Sequence, residues 1–178
     1  RKRLEDATKR MQGWPITFKD DNKATLDSFR AFLAQERAKG DVGLAVIDYL
    51  QLLSAPGFDS RVQEVSHISR SLKQISMELQ IPILALSQLN RQLETANRKP
   101  MLSDLRESGS IEQDCDVAFL LSVDKKLDDT RDKVFCHVAK NRGGETDIGC
   151  NLVFEKSIGT FSPEARLHNE ENASDPPW

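Results

Sequence analysis

Apolar residues in the central part of the chain follow two patterns, which predict strands and a helix. Residues 44–47 and 81–86 are continuous apolar runs of strand length, apart from Pro82. Between them, five apolar residues recur at spacings of three and four: Val65, Ile68, Leu72, Ile75 and Leu79. This spacing predicts an amphipathic helix that ends near Gln80. Continuous runs are typical of strands buried on both faces of a parallel sheet, so the order predicts a right-handed strand, helix, strand unit with parallel strands.

The residues before this unit predict two helices and a short strand. A charged, helix-compatible segment extends to about Gln12 and ends at residues 13–15, where a glycine and a proline disfavour helix. Residues 16–18 predict a short strand. A helix is predicted from about Ala24 to Lys39, with residues 20–22 supplying its turn and cap and Gly40 ending it.

The residues after the unit predict a loop, a short helix and three strands. Residues 91–100 are polar and predict a loop, and Ser103 or Asp104 can cap a short helix that extends to about Gln113. Residues 117–121 predict a third buried strand, and residues 124–132, seven of which are charged, predict a solvated turn. Residues 134–138 and 151–154 predict strands around a Gly143-Gly144 turn, a hairpin-like edge on the parallel sheet.

Length, composition and net charge limit the class of protein to which the chain can belong. The length of 178 residues suits one core, and the polar composition from Ser162 onward predicts a disordered tail, which gives a domain of residues 1–161 and a tail of residues 162–178. No apolar run approaches the length that spans a bilayer, and no signal peptide is recognisable, so we expect a soluble, cytoplasmic protein without membrane contact. The net charge of −3 requires any contact with nucleic acid to be local.

Cysteine and histidine usage argues against several kinds of site. Cys115, Cys136 and Cys150 are widely spaced and form no CxxC pair, which argues against a disulfide framework or a thiolate zinc site. We expect all three to be small residues in or near the core. The three histidines are scattered without an HExxH pattern, so a metal site built on histidine is not expected.

Two residues at strand ends are candidates for nucleotide chemistry. Asp48 follows the first buried strand, where a carboxylate can hold Mg²⁺ against nucleotide phosphates; many strands also end in an Asp that only caps the next turn. Gln88 follows the second strand, and its amide can sense a terminal phosphate, or it can be a simple polar strand terminus. Because parallel strands share a carboxyl edge, we expect both side chains at one edge of the sheet.

A third candidate is a pair of cations on a later strand. Lys140 and Arg142 are two residues apart, so on a strand they point to the same side and can converge on one anion. The alternative is an ordinary solvated basic surface.

Four segments, in order along the chain, resemble the motor domain of the DnaB family of hexameric replicative DNA helicases. They are residues 47–53 (IDYLQLL), 86–91 (LSQLNR), 103–116 (SDLRESGSIEQDCD) and 140–144 (KNRGG) followed by Ile148-Gly149. The resemblance extends from about Gly43 to Phe161. It implies a RecA-like α/β fold, a mostly parallel sheet flanked by helices with an antiparallel C-terminal edge, incomplete at the N-terminus.

The resemblance also implies roles for these residues and for a DNA-binding loop. Asp48 and Gln88 correspond to the magnesium and sensor residues of an ATP site. Arg106, Glu107 and Gly109 fall in the loop that grips single-stranded DNA, Glu107 through its backbone; Asp104 and Glu107 can also be helix-capping residues. Lys140 and Arg142 correspond to cations that reach the nucleotide of the next subunit, Arg142 as an arginine finger. The implied parent is an ATP- and Mg²⁺-dependent homo-hexamer on single-stranded DNA, with primase and a helicase loader as possible partners.

The sequence contains no GxxxxGK[ST] phosphate-binding loop. We therefore expect the chain to be a fragment of the motor that does not hydrolyse ATP alone. The alternative is a RecA-like module without enzymatic activity that has lost its phosphate loop and binds or regulates a partner. A relationship to RecA-type recombinases or circadian-clock ATPases is disfavoured by residues 103–116.

Overall fold

The computed structural model of the chain describes residues 2–20, 24–90, 98–105 and 109–164. These residues form four α-helices and two sheets, one of two parallel strands and one of four antiparallel strands. The α/β class predicted from the sequence is confirmed.

The central unit is the predicted strand, helix, strand arrangement. Strand β1 (Ala45–Ile47) pairs in parallel with β2 (Ile83–Ala85), and helix α3 (Arg61–Leu79) connects them. The Ser60 side chain accepts a hydrogen bond from the Gln63 amide and caps α3. Five apolar or small residues of α3 are buried in the main core, Val65, Ile68, Ser69, Leu72 and Ile75. The helical spacing therefore predicted both the helix and its buried face.

Neither parallel strand is buried on both faces, which corrects the prediction: β1 is buried on one face only, and in β2 Ile83 is partly buried while Leu84 and Ala85 are exposed. Ala45 and Ile47 belong to the core, whereas Val46 between them is 56% exposed. In β2 Leu84 is 45% exposed. The core helices cover one side of this sheet, and nothing among the described residues covers the other.

The two N-terminal helices are α1 (Lys2–Met11) and α2 (Leu26–Lys39). Helix α2 is capped by Thr25: its hydroxyl accepts from the Ser28 amide, and the Ser28 hydroxyl accepts from the Thr25 amide. Of residues 20–22, which were predicted to supply the cap, 21 and 22 lie outside the described residues. Gly40 ends α2 as predicted. The predicted strand at residues 16–18 is absent, because no described strand pairs with it and Phe18 is 80% exposed.

The C-terminal half of the described chain is an antiparallel sheet. Its strands are β3 (Val117–Lys126), β4 (Arg131–Asn141), β5 (Ile148–Glu155) and β6 (Thr160–Pro163), in that spatial order. The third buried strand of the prediction is thus β3, which is longer, antiparallel and buried on one side: Leu120 is 2% exposed and Phe119 is 58% exposed. The predicted solvated turn shrinks to the residues between β3 and β4. Strand β6 includes Ser162 and Pro163, so the predicted tail does not begin at Ser162; residues 165–178 lie outside the described residues.

Three further observations correct details of the prediction. The helix predicted from Ser103 or Asp104 is a 3-10 turn, Leu102–Asp104, followed by helix α4 (Gly109–Asp114). Cys115 and Cys136 are partly buried, but Cys150 is exposed, so it is not a core residue. Among the described residues, no helix combines the length and apolar character needed to cross a membrane.

Candidate functional site

Asp48 and Gln88 lie at the same edge of the parallel sheet, as their strand-end positions predict. Asp48 follows β1 and its side chain is exposed; the peptide bond to Tyr49 is cis. Gln51 links this segment to the one after β2, because its amide donates to the Ser87 hydroxyl at 3.0 Å and its oxygen accepts from the Gln88 amide at 3.5 Å. The Leu50 amide also donates to the Leu86 carbonyl at 2.8 Å. Gln51 was not singled out in the sequence analysis, although it belongs to the same motif as Asp48.

The chemistry of this edge suits a cation that brings most of its own ligands. The described residues contain no group of three or more His, Cys, Asp or Glu side chains able to hold a metal ion by themselves. Mg²⁺ in nucleotide sites uses one or two carboxylates and completes its octahedron with phosphate oxygens and water. The single exposed carboxylate of Asp48 fits that mode of binding and does not fit a metal site made of protein ligands alone.

The segment after Gln88 pairs with the segment that precedes the predicted DNA loop. Leu89 forms an isolated antiparallel bridge with Leu105, and the Asn90 amide donates to the Asp104 carbonyl at 2.8 Å. Of the predicted loop residues, Arg106 and Glu107 lie outside the described residues, and Gly109 is the exposed first residue of α4. The sheet edge with Asp48 and Gln88 is therefore joined to the start of the predicted loop by backbone hydrogen bonding.

Asp104 fixes the start of this loop. Its two carboxylate oxygens accept from the two Arg98 terminal nitrogens at 2.6 Å each, and one of them accepts from the Met101 amide at 2.8 Å. These hydrogen bonds, from Arg98 first and from Met101 second, lower the pKa of Asp104 to about 2. The bond to Met101 caps the 3-10 turn Leu102–Asp104 and not the longer helix for which the cap was predicted.

Lys140 and Arg142 converge, but on the C-terminal end of α4 in their own chain. The Lys140 ammonium donates to the Glu112 carbonyl at 2.5 Å and to the Gln113 carbonyl at 3.3 Å. The Arg142 guanidinium donates to the Gln113 carbonyl at 2.7 Å. Cations are favourable at a helix C-terminus, where carbonyl groups lack partners within the helix. The two cations thus converge on backbone carbonyls and not on the anion that was predicted, and Arg142 lies in the turn just after β4.

An ion pair that the sequence did not predict joins this cluster. Asp116 contacts Lys73 of α3 at 2.5 Å and Arg142 at 3.5 Å. The hydrogen bond from Lys73, aided by the charges of Arg142 and Lys140, lowers the pKa of Asp116. No sequence spacing could reveal Lys73, because it is brought to Asp116 only by the packing of α3 beside α4.

Comparison with known proteins gives concordant results. A family model described as DnaB-like helicase C terminal domain matches residues 1–163. The replicative DNA helicase DnaB of Geobacillus stearothermophilus is 40% identical over 161 residues, which cover 87% of this chain and 35% of that protein. The chain spans about a fifth to a third of the length of the first curated relatives that it matches.

Solved structures show the same fold. The ATPase domain of G40P superposes with a TM-score of 0.82 at 36% identity, covering 91% of this chain and 59% of that one. A DnaB-like replicative helicase, studied together with its interactions with primase, superposes with a TM-score of 0.81 at 35% identity, covering 90% of this chain and 41% of that one. The fold is therefore the RecA-like α/β fold of these ATPase domains.

Proposed function

The chain belongs to the family of DnaB-like helicase C-terminal domains, and we propose that it is part of the motor of a replicative DNA helicase. In this proposal the whole protein couples ATP hydrolysis at the interfaces of a homo-hexamer to movement along single-stranded DNA and to duplex unwinding. The work takes place in the cytoplasm, with primase as a partner, as in the DnaB-like relative studied with primase.

One observation carries the proposal. The sheet edge with Asp48 and Gln88, which we call the nucleotide edge, is joined to the start of the predicted DNA loop. The Leu89–Leu105 bridge lies between Gln88 and Arg106, one residue from each. A displacement of Gln88 on loss of a terminal phosphate would therefore pull directly on the residue that precedes the loop. A motor requires such a connection, because hydrolysis at one site has to move a DNA contact at another.

Each residue at the nucleotide edge would have a different role in ATP hydrolysis. Asp48 would hold Mg²⁺ bound to ATP, which supplies positive charge to the transferring phosphoryl group. Gln88 would donate to or accept from the terminal phosphate and its water, and Gln51 would keep the two strand ends in register through Ser87. The phosphate-binding loop is not among the 178 residues, so this chain would supply the remaining parts of the site.

We further propose that Lys140 and Arg142 act on the nucleotide of the neighbouring subunit. The Arg142 side chain is 54% exposed and its shortest bond is to a neutral carbonyl, so phosphate oxygens with full negative charge can replace that partner. Release of the pair would free the C-terminal end of α4, whose first residue, Gly109, belongs to the predicted DNA loop. The helix would thus connect DNA binding in one subunit to charge stabilisation in the next.

A second candidate function is a RecA-like module that binds or regulates a partner without hydrolysing ATP. The engagement of Lys140 and Arg142 by their own chain favours it, since a purely structural basic pair would make the same bonds. The two candidates differ in whether Asp48 and Arg142 are needed for hydrolysis.

A hybrid helicase tests both candidates. Residues 1–163 replace the matching segment of the Geobacillus stearothermophilus relative, and ATP hydrolysis is measured with and without single-stranded DNA after native mass spectrometry confirms the ring. We expect DNA-stimulated hydrolysis that Asp48→Asn and Arg142→Ala each abolish, with nucleotide binding retained in Arg142→Ala. Arg70→Ala, which removes an exposed arginine on α3, serves as the control and should leave hydrolysis unchanged. An assembled ring without hydrolysis would favour the non-enzymatic module.

Mixed rings separate action in trans from action in cis. A subunit with Asp48→Asn keeps its finger, and a subunit with Arg142→Ala keeps its Asp48. In an equal mixture, about a quarter of the interfaces of a closed ring combine an intact Asp48 with an intact Arg142, so hydrolysis should recover to about that level. Mixed rings that stay inactive would show that Arg142 serves the nucleotide of its own subunit.

A further inference from the structure

Two of the three cysteines face each other across neighbouring antiparallel strands. Cys136 of β4 is directly opposite Cys150 of β5 in the register of the sheet. Directly opposite residues of an antiparallel pair project their side chains to the same face, with Cβ atoms about 4.5–5.5 Å apart. The wide sequence spacing that argued against a disulfide framework thus conceals a close pair, because the hairpin turn brings the two strands together.

The hydrogen-bond pattern of the two strands indicates how far apart the two cysteines lie. The Lys156 amide donates to the Thr130 carbonyl at 2.8 Å, just beyond the pair Arg131 and Glu155. Because hydrogen-bonded and non-hydrogen-bonded pairs alternate along the ladder, Cys136 and Cys150 fall in a hydrogen-bonded pair, with Cα atoms about 5.5 Å apart. Disulfides most often join Cα atoms about 5.5–6 Å apart, which this pair matches, but they bring the Cβ atoms to about 3.5–4.5 Å, so the two strands have to draw together by roughly 1 Å at this point when the bond forms.

The two thiols differ in access to solvent. Cys150 is exposed and Cys136 is partly buried. Burial, followed by the neighbouring Cys150 thiol, raises the pKa of the Cys136 thiol, and its partial burial also limits the approach of an oxidant. The third cysteine, Cys115, lies between α4 and β3 and its thiol donates to the Glu112 carbonyl at 3.7 Å. Cys115 therefore serves as an internal control thiol.

We propose that Cys136 and Cys150 are an oxidation site at which the chain forms a reversible disulfide on exposure to a peroxide. The Cys150 thiolate attacks one peroxide oxygen, an S–O bond forms, the O–O bond breaks, and the leaving hydroxide takes a proton to give water. The Cys136 thiolate then attacks the Cys150 sulfur, the S–S bond forms, the S–O bond breaks, and a second water leaves. Two thiols lose two electrons and two protons, and one peroxide becomes two waters.

The bond would close the loop that carries the basic pair. Lys140 and Arg142 lie between the two cysteines, at the end of β4 and in the turn after it. A disulfide at the base of this loop would fasten β4 to β5 and limit how far the loop can open. The inference itself stands on the strand register and on thiol access, and it does not depend on the proposed function.

The test uses the 178-residue chain at low concentration. The chain is treated with equimolar hydrogen peroxide, blocked with iodoacetamide in denaturant, digested and analysed by mass spectrometry. We expect a peptide pair linked through Cys136 and Cys150, alkylation at Cys115 only, and recovery of all three alkylated cysteines after dithiothreitol. Cys115→Ser should still form the link, whereas Cys150→Ser should form none.

A comparison with the unfolded chain shows whether the fold directs the pairing. In urea the preference for Cys136 with Cys150 should give way to a mixture that includes Cys115. The same mixture from the folded chain, a product joined only between two chains, or sulfinic acid at Cys150 without a link would each overturn the proposal. This comparison uses the unsubstituted chain, so it does not rely on the folding of any variant.

Discussion

At the scale of single residues, the carboxylate of Asp104 stands out near the predicted DNA loop because of the hydrogen bonds that it accepts. It is 9% exposed as a residue and accepts three hydrogen bonds from Arg98 and Met101. Its folded pKa of about 2 is below the ordinary value for an unfolded Asp of about 3.9. A depressed folded pKa contributes stability that is fully present above the unfolded value and is lost as the pH falls through the folded value.

Asp104→Asn should therefore remove part of the acid sensitivity of the chain. We expect the variant to be less stable than the unsubstituted chain at neutral pH, and the difference between the two to shrink as the pH falls from about 4 to about 2. Urea denaturation at a series of pH values measures this. Asp59→Asn, at an exposed loop position, is the control and should follow the unsubstituted chain throughout. A difference between Asp104→Asn and the unsubstituted chain that does not vary with pH would contradict the assignment.

The position of a candidate site residue could be predicted from the sequence only where the hydrophobic pattern fixes that position. Asp48 and Gln88 were predictable, because a strand end is read from the hydrophobic pattern and parallel strands share a carboxyl edge. The Lys73–Asp116 and Arg98–Asp104 pairs were not, because each depends on side-chain geometry across elements or within an irregular loop. For Lys140 and Arg142 the common direction was predictable, but their partner on α4 was not.

At the scale of secondary-structure elements, α4 depends on contacts from outside the helix. A helix of six residues has no stability of its own in water. Ser110 contacts Ser66 of α3 at 2.9 Å, Ile111 packs on the core, and Lys140 and Arg142 bond the carbonyls at the other end. The basic pair therefore acts as an external C-terminal cap.

Removing that cap should loosen α4 without unfolding the core. Hydrogen bonds from charged donors stabilise by about 1.5–3 kcal/mol each before allowance for solvent exposure, so Lys140→Ala with Arg142→Ala should speed amide exchange in α4 roughly fivefold or more. Hydrogen exchange with mass spectrometry measures peptides from α4 and, as an internal reference, from α3. Unchanged exchange in α4, or an equal rise in α3, would argue against a local cap.

Helix α3 is the element on which the core is built. Ile68 is fully buried on its inner face, and Met77 is 60% exposed on the same helix. Ile68→Ala should lower the free energy of unfolding by about 2–5 kcal/mol through lost burial and a cavity, while Met77→Ala should change it by less than about 0.5 kcal/mol. Urea denaturation of both variants tests this difference. Similar losses at the two positions would contradict the described packing of α3.

The helices were easier to predict than the strands. Helix α3 repeats its apolar spacing over about four turns, from Val65 to Leu79, and its end at Leu79 agrees with the prediction. Residues 16–18 have strand-like composition, but a strand needs a hydrogen-bonding partner, and the described residues offer none there. Whether a segment forms a strand thus depends on its neighbouring strands as much as on its own sequence.

At the scale of the whole molecule, the two sheets each present one uncovered apolar face. On the parallel sheet the exposed residues include Val46 and Leu84, and on the antiparallel sheet they include Phe119, Leu121 and Val123. The continuous apolar runs predicted strands buried on both sides, and the described part of the chain buries only one. The apolar pattern of these strands therefore predicts more burial than the described residues achieve by packing against one another.

Exposed apolar strips of this kind should make the isolated chain associate with itself. Removing apolar surface from water is favourable, and single-chain proteins in solution rarely present large contiguous apolar patches. We expect concentration-dependent sedimentation and binding of an apolar fluorescent dye. Phe119→Thr with Leu121→Thr should reduce both without loss of folding, since threonine is well tolerated in strands and both positions are exposed.

The residue between these two positions provides a matched control. Leu120 points to the opposite face of β3 and is 2% exposed, so Leu120→Thr introduces a hydroxyl and removes apolar volume inside the sheet's packed side. That variant should lower the midpoint of urea unfolding and increase dye binding, the reverse of the effect at Phe119 and Leu121. If all three substitutions act in the same direction, the alternation of buried and exposed positions along β3 is wrong, and with it the assignment of an uncovered face to this sheet.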